Sequence, residues 1–187
     1  MTTTDLNSRL GAAADLGDRG RAVTIAAGIL AIGLAIYQVA KPGAPDGAVY
    51  ESVWDYVREL GFLGFLLTSA AAVEVARRRN LAPRRAGLLV PIGYGLIAAG
   101  VTAGLIVREE LDWFFVLAGP GLLLSAVGFV AWAVWARRGR VLPSWATVLL
   151  AVGGLTAIVM SEFGTSVLIG SFWLFLATTF APRSPTR

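Results

Sequence analysis

Apolar residues in this chain come in long runs broken by short polar stretches. They do not alternate every second position, as a half-buried strand would. A helix rises 1.5 Å per residue and the hydrocarbon core of a bilayer is ~30 Å thick, so about 20 apolar residues make one crossing. Read on that scale, the pattern predicts six spanning helices, at about 22–40, 50–76, 86–107, 112–136, 144–160 and 163–179. The expected fold is an all-α integral membrane protein, a six-transmembrane-helix bundle of three hairpins. It lies between a polar tail at 1–21, expected to be disordered or interfacial, and a short tail at 181–187.

Several elements need comment. The run at 22–40 follows a long leading segment with three acids, so it reads as an uncleaved first helix rather than a signal peptide. The second helix has an amphipathic lead-in, with Glu51, Asp55 and Arg58 at helical spacing, that stands outside the hydrocarbon. In the third, Gly100 and Gly104 form a GxxxG spacing, which lets another backbone approach closely in lipid. In the fourth, Gly119-Pro120-Gly121 is a candidate helix break, because proline removes a backbone donor and discontinuous helices line some transport sites. Residues 143–180 are too long for one span and short for two. Ser161-Glu162-Phe163-Gly164 offers the turn that divides them. The alternative is five spans with a re-entrant or tilted last segment.

Charge sets the orientation. Thirteen of the sixteen basic residues lie in the N-terminal tail, the 77–85 stretch, the 137–140 stretch and the C-terminal tail. The positive-inside rule then puts both termini in the cytoplasm. Arg77, Arg78, Arg79, Arg84, Arg85, Arg137 and Arg138 are expected to contact phospholipid headgroups. The net charge of +4 is therefore explained by topology, and nucleic acid is not an expected partner. The lipid bilayer is, with a homo-oligomer or a larger membrane complex also open. Arg77-Arg78, Pro83, Ala86 and Gly93 recur sixty residues later as Arg137-Arg138, Pro143, Ala146 and Gly153. The echo reads either as stacked hairpins of similar origin or as the shared needs of two cytoplasmic turns, and the second reading is the simpler.

Composition agrees with a membrane protein: 56% of residues are hydrophobic, 15% are charged, and the mean hydropathy is +0.70. Soluble domains carry about 25% charged residues. Fifteen of the sixteen basic residues are arginine, and Ala, Gly and Val abound. That usage points to a high-GC bacterial genome and so to the plasma (inner) membrane of a bacterium.

The chain has no Cys and no His. Disulfides, thiol nucleophiles and histidine acid–base chemistry are excluded, and no metal or cofactor is expected. No GxSxG, Walker or dinucleotide motif is present. The remaining candidates are acids gathered on the outer side. Asp55 and Glu109, with Arg58 and Arg108 beside them, and Glu162 in the last turn are candidate ligand or ion-pair residues. Arg58 or Arg108 is the expected partner of Glu162. Glu74, one turn before Arg77 and Arg78, is expected to pair with them. The leading functional expectation is a non-catalytic accessory, scaffold or assembly subunit. A small transporter or channel with an acidic outer vestibule and a lipid-acting membrane enzyme are the alternatives.

Overall fold

The computed structural model describes residues 3–40, 52–108, 111, 113–159 and 166–180, with side chains from residue 17 to residue 156 and again from 166 within those segments. Among these residues there are six α-helices and no strand: α1 Thr3–Ala40, α2 Val53–Arg78, α3 Leu89–Val107, α4 Phe114–Arg138, α5 Ser144–Val159 and α6 Ser166–Thr179. A single 3-10 turn, Ala86–Leu88, leads into α3. Four helical stretches are long and apolar enough to cross a membrane: Gly17–Ala40, Val53–Arg78, Ala86–Val107 and Phe114–Arg138. The last two helices are apolar but shorter. Their described stretches, of 16 and 14 residues on either side of a segment outside the described residues, are about 24 and 21 Å long at 1.5 Å per residue.

The helix ends fall within a few residues of the sequence expectation, with two differences. The stretch expected as a disordered or interfacial tail is helical from Thr3 and continues into the first apolar run. Ala-rich sequence (Gly11-Ala12-Ala13-Ala14) with no proline before Pro42 leaves nothing to stop a helix there. The break expected at Gly119-Pro120-Gly121 is not one, for α4 is a continuous α-helix across Pro120. Pro120 sits in the second turn and is exposed, so its ring meets no neighbouring helix. Only the carbonyl four residues back loses its donor.

Each helix packs against the next in the chain, and α1 packs against α6, so the six close into a ring in chain order. Close approach is made by glycines. A methyl group added to Gly121 of α4 would lie 2.7 Å from the Gly93 carbonyl oxygen of α3, and one on Gly93 would strike the Gly121 carbonyl. Gly28 and Gly170 meet in the same reciprocal way between α1 and α6, with each added methyl 3.0 Å from the other's carbonyl oxygen. Gly100 abuts the Phe114 ring rather than a backbone, and Gly104 is buried and its carbonyl accepts the Arg108 N–H.

The ring is filled by aromatic side chains. Phe65 of α2 meets Tyr94 of α3 (ring centroids 5.8 Å apart), and Tyr94 meets Phe129 of α4 (5.9 Å). Phe129 meets Trp173 of α6 (6.3 Å), and Trp132 of α4 meets Phe172 of α6 edge-on (5.4 Å). Trp132, Phe172 and Trp173 have no exposed surface. Such rings bury large areas and hold preferred mutual geometries.

The sixty-residue echo has structural counterparts in the turns and in part of each helix. After α2, Leu81 N–H bonds Ala76 O (2.8 Å) and Asn80 N–H bonds Arg77 O (3.1 Å). After α4, Val141 N–H bonds Ala136 O (3.0 Å) and Arg140 N–H bonds Arg137 O (3.3 Å). Both are Schellman caps, with Asn80 (φ 56°) and Arg140 (φ 51°) in the left-handed position that such a cap requires. The correspondence runs on into the helices. Phe65, Leu66, Ser69, Ala72, Val73 and Ala76 are the buried residues of α2, and the six residues sixty positions later (Ser125, Ala126, Phe129, Trp132, Ala133, Ala136) are all buried in α4. The match extends beyond the turns over 65–76 of α2 and 125–136 of α4, while Ala118, Gly121 and Gly128 of α4 are buried where Arg58, Gly61 and Thr68 of α2 are half-buried.

Candidate functional site

Three regions hold the residues singled out by the sequence: the end bearing the acids, the interior, and the arginine-rich end. At the acidic end, Glu109 and Glu162 lie outside the described residues, as do Glu51, Glu110 and Asp112. Asp55 is committed to local structure. Its carboxylate accepts the Ser52 N–H and the Ser52 hydroxyl, each at 2.9 Å. An acid reaching back from the first turn of α2 in this way ties down the helix start. Arg58 pairs with its neighbour Glu59 at 2.9 Å. Arg108 is exposed and adopts a left-handed conformation (φ 66°), its N–H closing α3 on Gly104 O at 2.8 Å. Tyr37 reaches from α1 to donate to the Trp54 carbonyl (3.0 Å), which joins α1 and α2 at this end.

In the interior, the buried polar side chains among the described residues are Thr24, Ser69, Ser125 and Thr147, with no acid or base. Thr24, Ser125 and Thr147 donate to carbonyls three or four residues back in their own helices, at 2.6, 2.9 and 2.7 Å. That bond is the usual way a hydroxyl is satisfied in a helix. Thr68, Thr102, Thr156 and Ser171 do the same. Five buried polar atoms among the described residues have no hydrogen-bond partner: Gln38 Oε1 and Ser166 Oγ near helix ends, and Ser69 Oγ, the Tyr94 hydroxyl and Trp173 Nε1, the three in the interior. These three come from α2, α3 and α6. Among the described residues no group of three His, Cys, Asp or Glu side chains is placed to hold a metal ion.

The arginine-rich end is the most highly organised. Glu74 pairs with Arg77, and its other oxygen accepts Arg78 Nε at 2.9 Å, the expected one-turn pairing. Arg77 also donates from Nε to the Arg84 carbonyl (3.0 Å), folding the stretch after α2 back over its own helix end. The Arg79 guanidinium lies 5.3 Å from the centre of the Phe180 ring, a cation–π contact linking this stretch to the end of α6. Trp132 Nε1 donates to the Leu81 carbonyl at 2.8 Å, across from α4. Arg84, Arg85, Arg137, Arg138 and Arg140 are exposed. Beside Arg138 a surface groove of about 620 Å³ is lined by Ala131, Val134, Trp135, Arg138 and Gly139. The sequence placed arginines here but did not reveal the groove, which depends on how one helix face is left uncovered.

The described residues thus bring together Glu74 with Arg77 and Arg78, while most of the acids expected near Arg108 lie outside them. Comparison of the chain with protein-family models, with curated proteins and with solved structures finds no match in any of the three.

Proposed function

We propose that the chain is a non-catalytic multi-pass protein of a bacterial inner membrane, six spans with both termini cytoplasmic, which acts as an accessory, scaffold or assembly subunit in a homo-oligomer or larger membrane complex. The observation that carries this reading is the interior. Aromatic rings from α2, α3, α4 and α6 fill it, and among the described residues it holds no acidic or basic side chain. Proton relays and ion-coupled transporters keep ionisable groups at membrane depth. Four helices of spanning length support membrane insertion, and the thirteen of sixteen basic residues that fall in the four stretches expected to face the cytoplasm support the orientation. The arginine usage supports the bacterial assignment.

The test is purification of the full chain from native membranes in mild detergent, with identification of co-purifying proteins by mass spectrometry. Stoichiometric partner subunits or a defined homo-oligomer are expected. A monomer that catalyses ion or solute flux in proteoliposomes contradicts the proposal. A small transporter remains the second reading, because of the unpartnered polar atoms of Ser69, Tyr94 and Trp173 in the interior. A buried polar group without a partner is costly, and a translocated polar solute or water would supply one.

A further inference from the structure

The two repeats share their caps and their buried faces, so each serves as a control for the other on the exposed face. Positions 71, 74, 75, 78 and 79 of the first correspond to 131, 134, 135, 138 and 139 of the second. Ala71 and Ala131 match, as do Arg78 and Arg138. Where the first repeat has Glu74, paired with Arg78 at 2.9 Å, the second has Val134. Val75 becomes Trp135, and Arg79 becomes Gly139. The substitutions remove the carboxylate that holds the arginine, remove a long side chain, and add an aromatic wall. On this face of α4, Ala131, Val134, Trp135, Arg138 and Gly139 line an open surface groove of about 620 Å³. The hairpin of α4 and α5 contains no acidic residue between Trp113 and Val159. Among the described residues Arg138 has no carboxylate partner, and Arg137 and Arg140 add positive charge beside it.

We propose that this groove is a specific site for one anionic phospholipid. An acyl chain lies along Ala131, Val134 and Trp135, and the headgroup phosphate takes on Arg138 the place that Glu74 takes on Arg78. A tryptophan just inside an arginine at the end of a spanning helix sits where headgroup and chain meet, and guanidinium offers phosphate two parallel charge-assisted bonds. The site deepens the membrane reading above and rests on it. It distinguishes a bound lipid from the general basic fringe, because Arg78, of equal charge in the equivalent place, already has a partner.

The experiment uses the purified full chain in mild detergent, titrated with dioleoyl phosphatidylglycerol or dioleoyl phosphatidylcholine, with bound lipids counted by native mass spectrometry. Wild type should bind one phosphatidylglycerol about tenfold more tightly than phosphatidylcholine, a difference of about 1.4 kcal/mol. Arg138→Gln should bring the two lipids within about twofold of each other on the same scale, and so should Val134→Glu, which installs the first repeat's acid. Arg78→Gln, the matched control, should keep the preference. Val134 and Arg138 are exposed, so their substitutions spare the core, and an unchanged melting curve verifies this. Equal binding of both lipids by wild type overturns the site alone. So does a preference that survives both Arg138→Gln and Val134→Glu, or one that Arg78→Gln abolishes equally. Failure to retain either lipid overturns the site together with the membrane reading.

Discussion

At the scale of single residues, the interior holds the most informative side chain. Tyr94 is 4% exposed, packs between Phe65 and Phe129, and has an unpartnered hydroxyl. If the interior is dry, Tyr94→Phe removes a desolvated polar atom and keeps the ring. It should then stabilise the protein, by about 1 kcal/mol, in detergent melting or denaturant unfolding. Loss of stability would mean that the hydroxyl has a partner in the working protein and would favour the transporter reading. The glycines separate into two kinds. An added methyl at Gly93 meets backbone atoms of α4, Gly121 O and, at 2.8 Å, Ser125 N. Backbone cannot rotate away, so Gly93→Ala should cost about 1–3 kcal/mol. Gly95, two residues on, has nothing within 4 Å. There Gly95→Ala should be neutral or stabilising by about 0.5–1 kcal/mol through helix propensity. Equal effects of the two substitutions in the same melting assay would contradict the observed α3–α4 crossing.

At the scale of elements, the turns that close α2 and α4 are the most tightly specified. Asn80 is a natural occupant of the left-handed position, whereas Arg140 in the equivalent place bears the strain of a side chain there. Arg140→Gly should therefore raise stability by about 1 kcal/mol, readable as an upward shift in melting temperature, while Asn80→Gly should change little. Trp132→Phe should be destabilising by about 1–3 kcal/mol, because it strands the Leu81 carbonyl that the indole satisfies. Helix number and approximate limits were legible in the sequence because each run of apolar residues ends within three positions of a charged residue or a proline. The helical start at Thr3 was not, because polar composition argues against burial but not against helix. Gly119-Pro120-Gly121 misled in the other direction. A proline costs a helix only what its ring and missing donor meet, and Pro120 faces outward near the start of α4. The GxxxG pair at Gly100 and Gly104 is buried, with Gly100 against the Phe114 ring of α4, while the reciprocal backbone contacts fall at Gly93 with Gly121 and Gly28 with Gly170.

For the whole molecule, the six helices among the described residues close into a ring with aromatics filling its interior, with arginines gathered at one end and two near-equivalent caps carrying them. The repeat was faintly visible as sixty-residue spacing of Arg, Pro and Gly. Its extent became visible only with the burial of each helix face. The proposed function requires this ring to stand in a membrane with its arginine-rich end cytoplasmic. The chain lacks cysteine, so any single introduced cysteine is a unique reporter. A membrane-impermeant maleimide applied to intact and permeabilised cells, on variants Asp46→Cys, Arg84→Cys and Arg140→Cys, tests the claim most directly. The account predicts labelling of the Asp46→Cys variant in intact cells, and of the Arg84→Cys and Arg140→Cys variants only after permeabilisation. Labelling of the two arginine positions from opposite sides, or of either in intact cells, would contradict it.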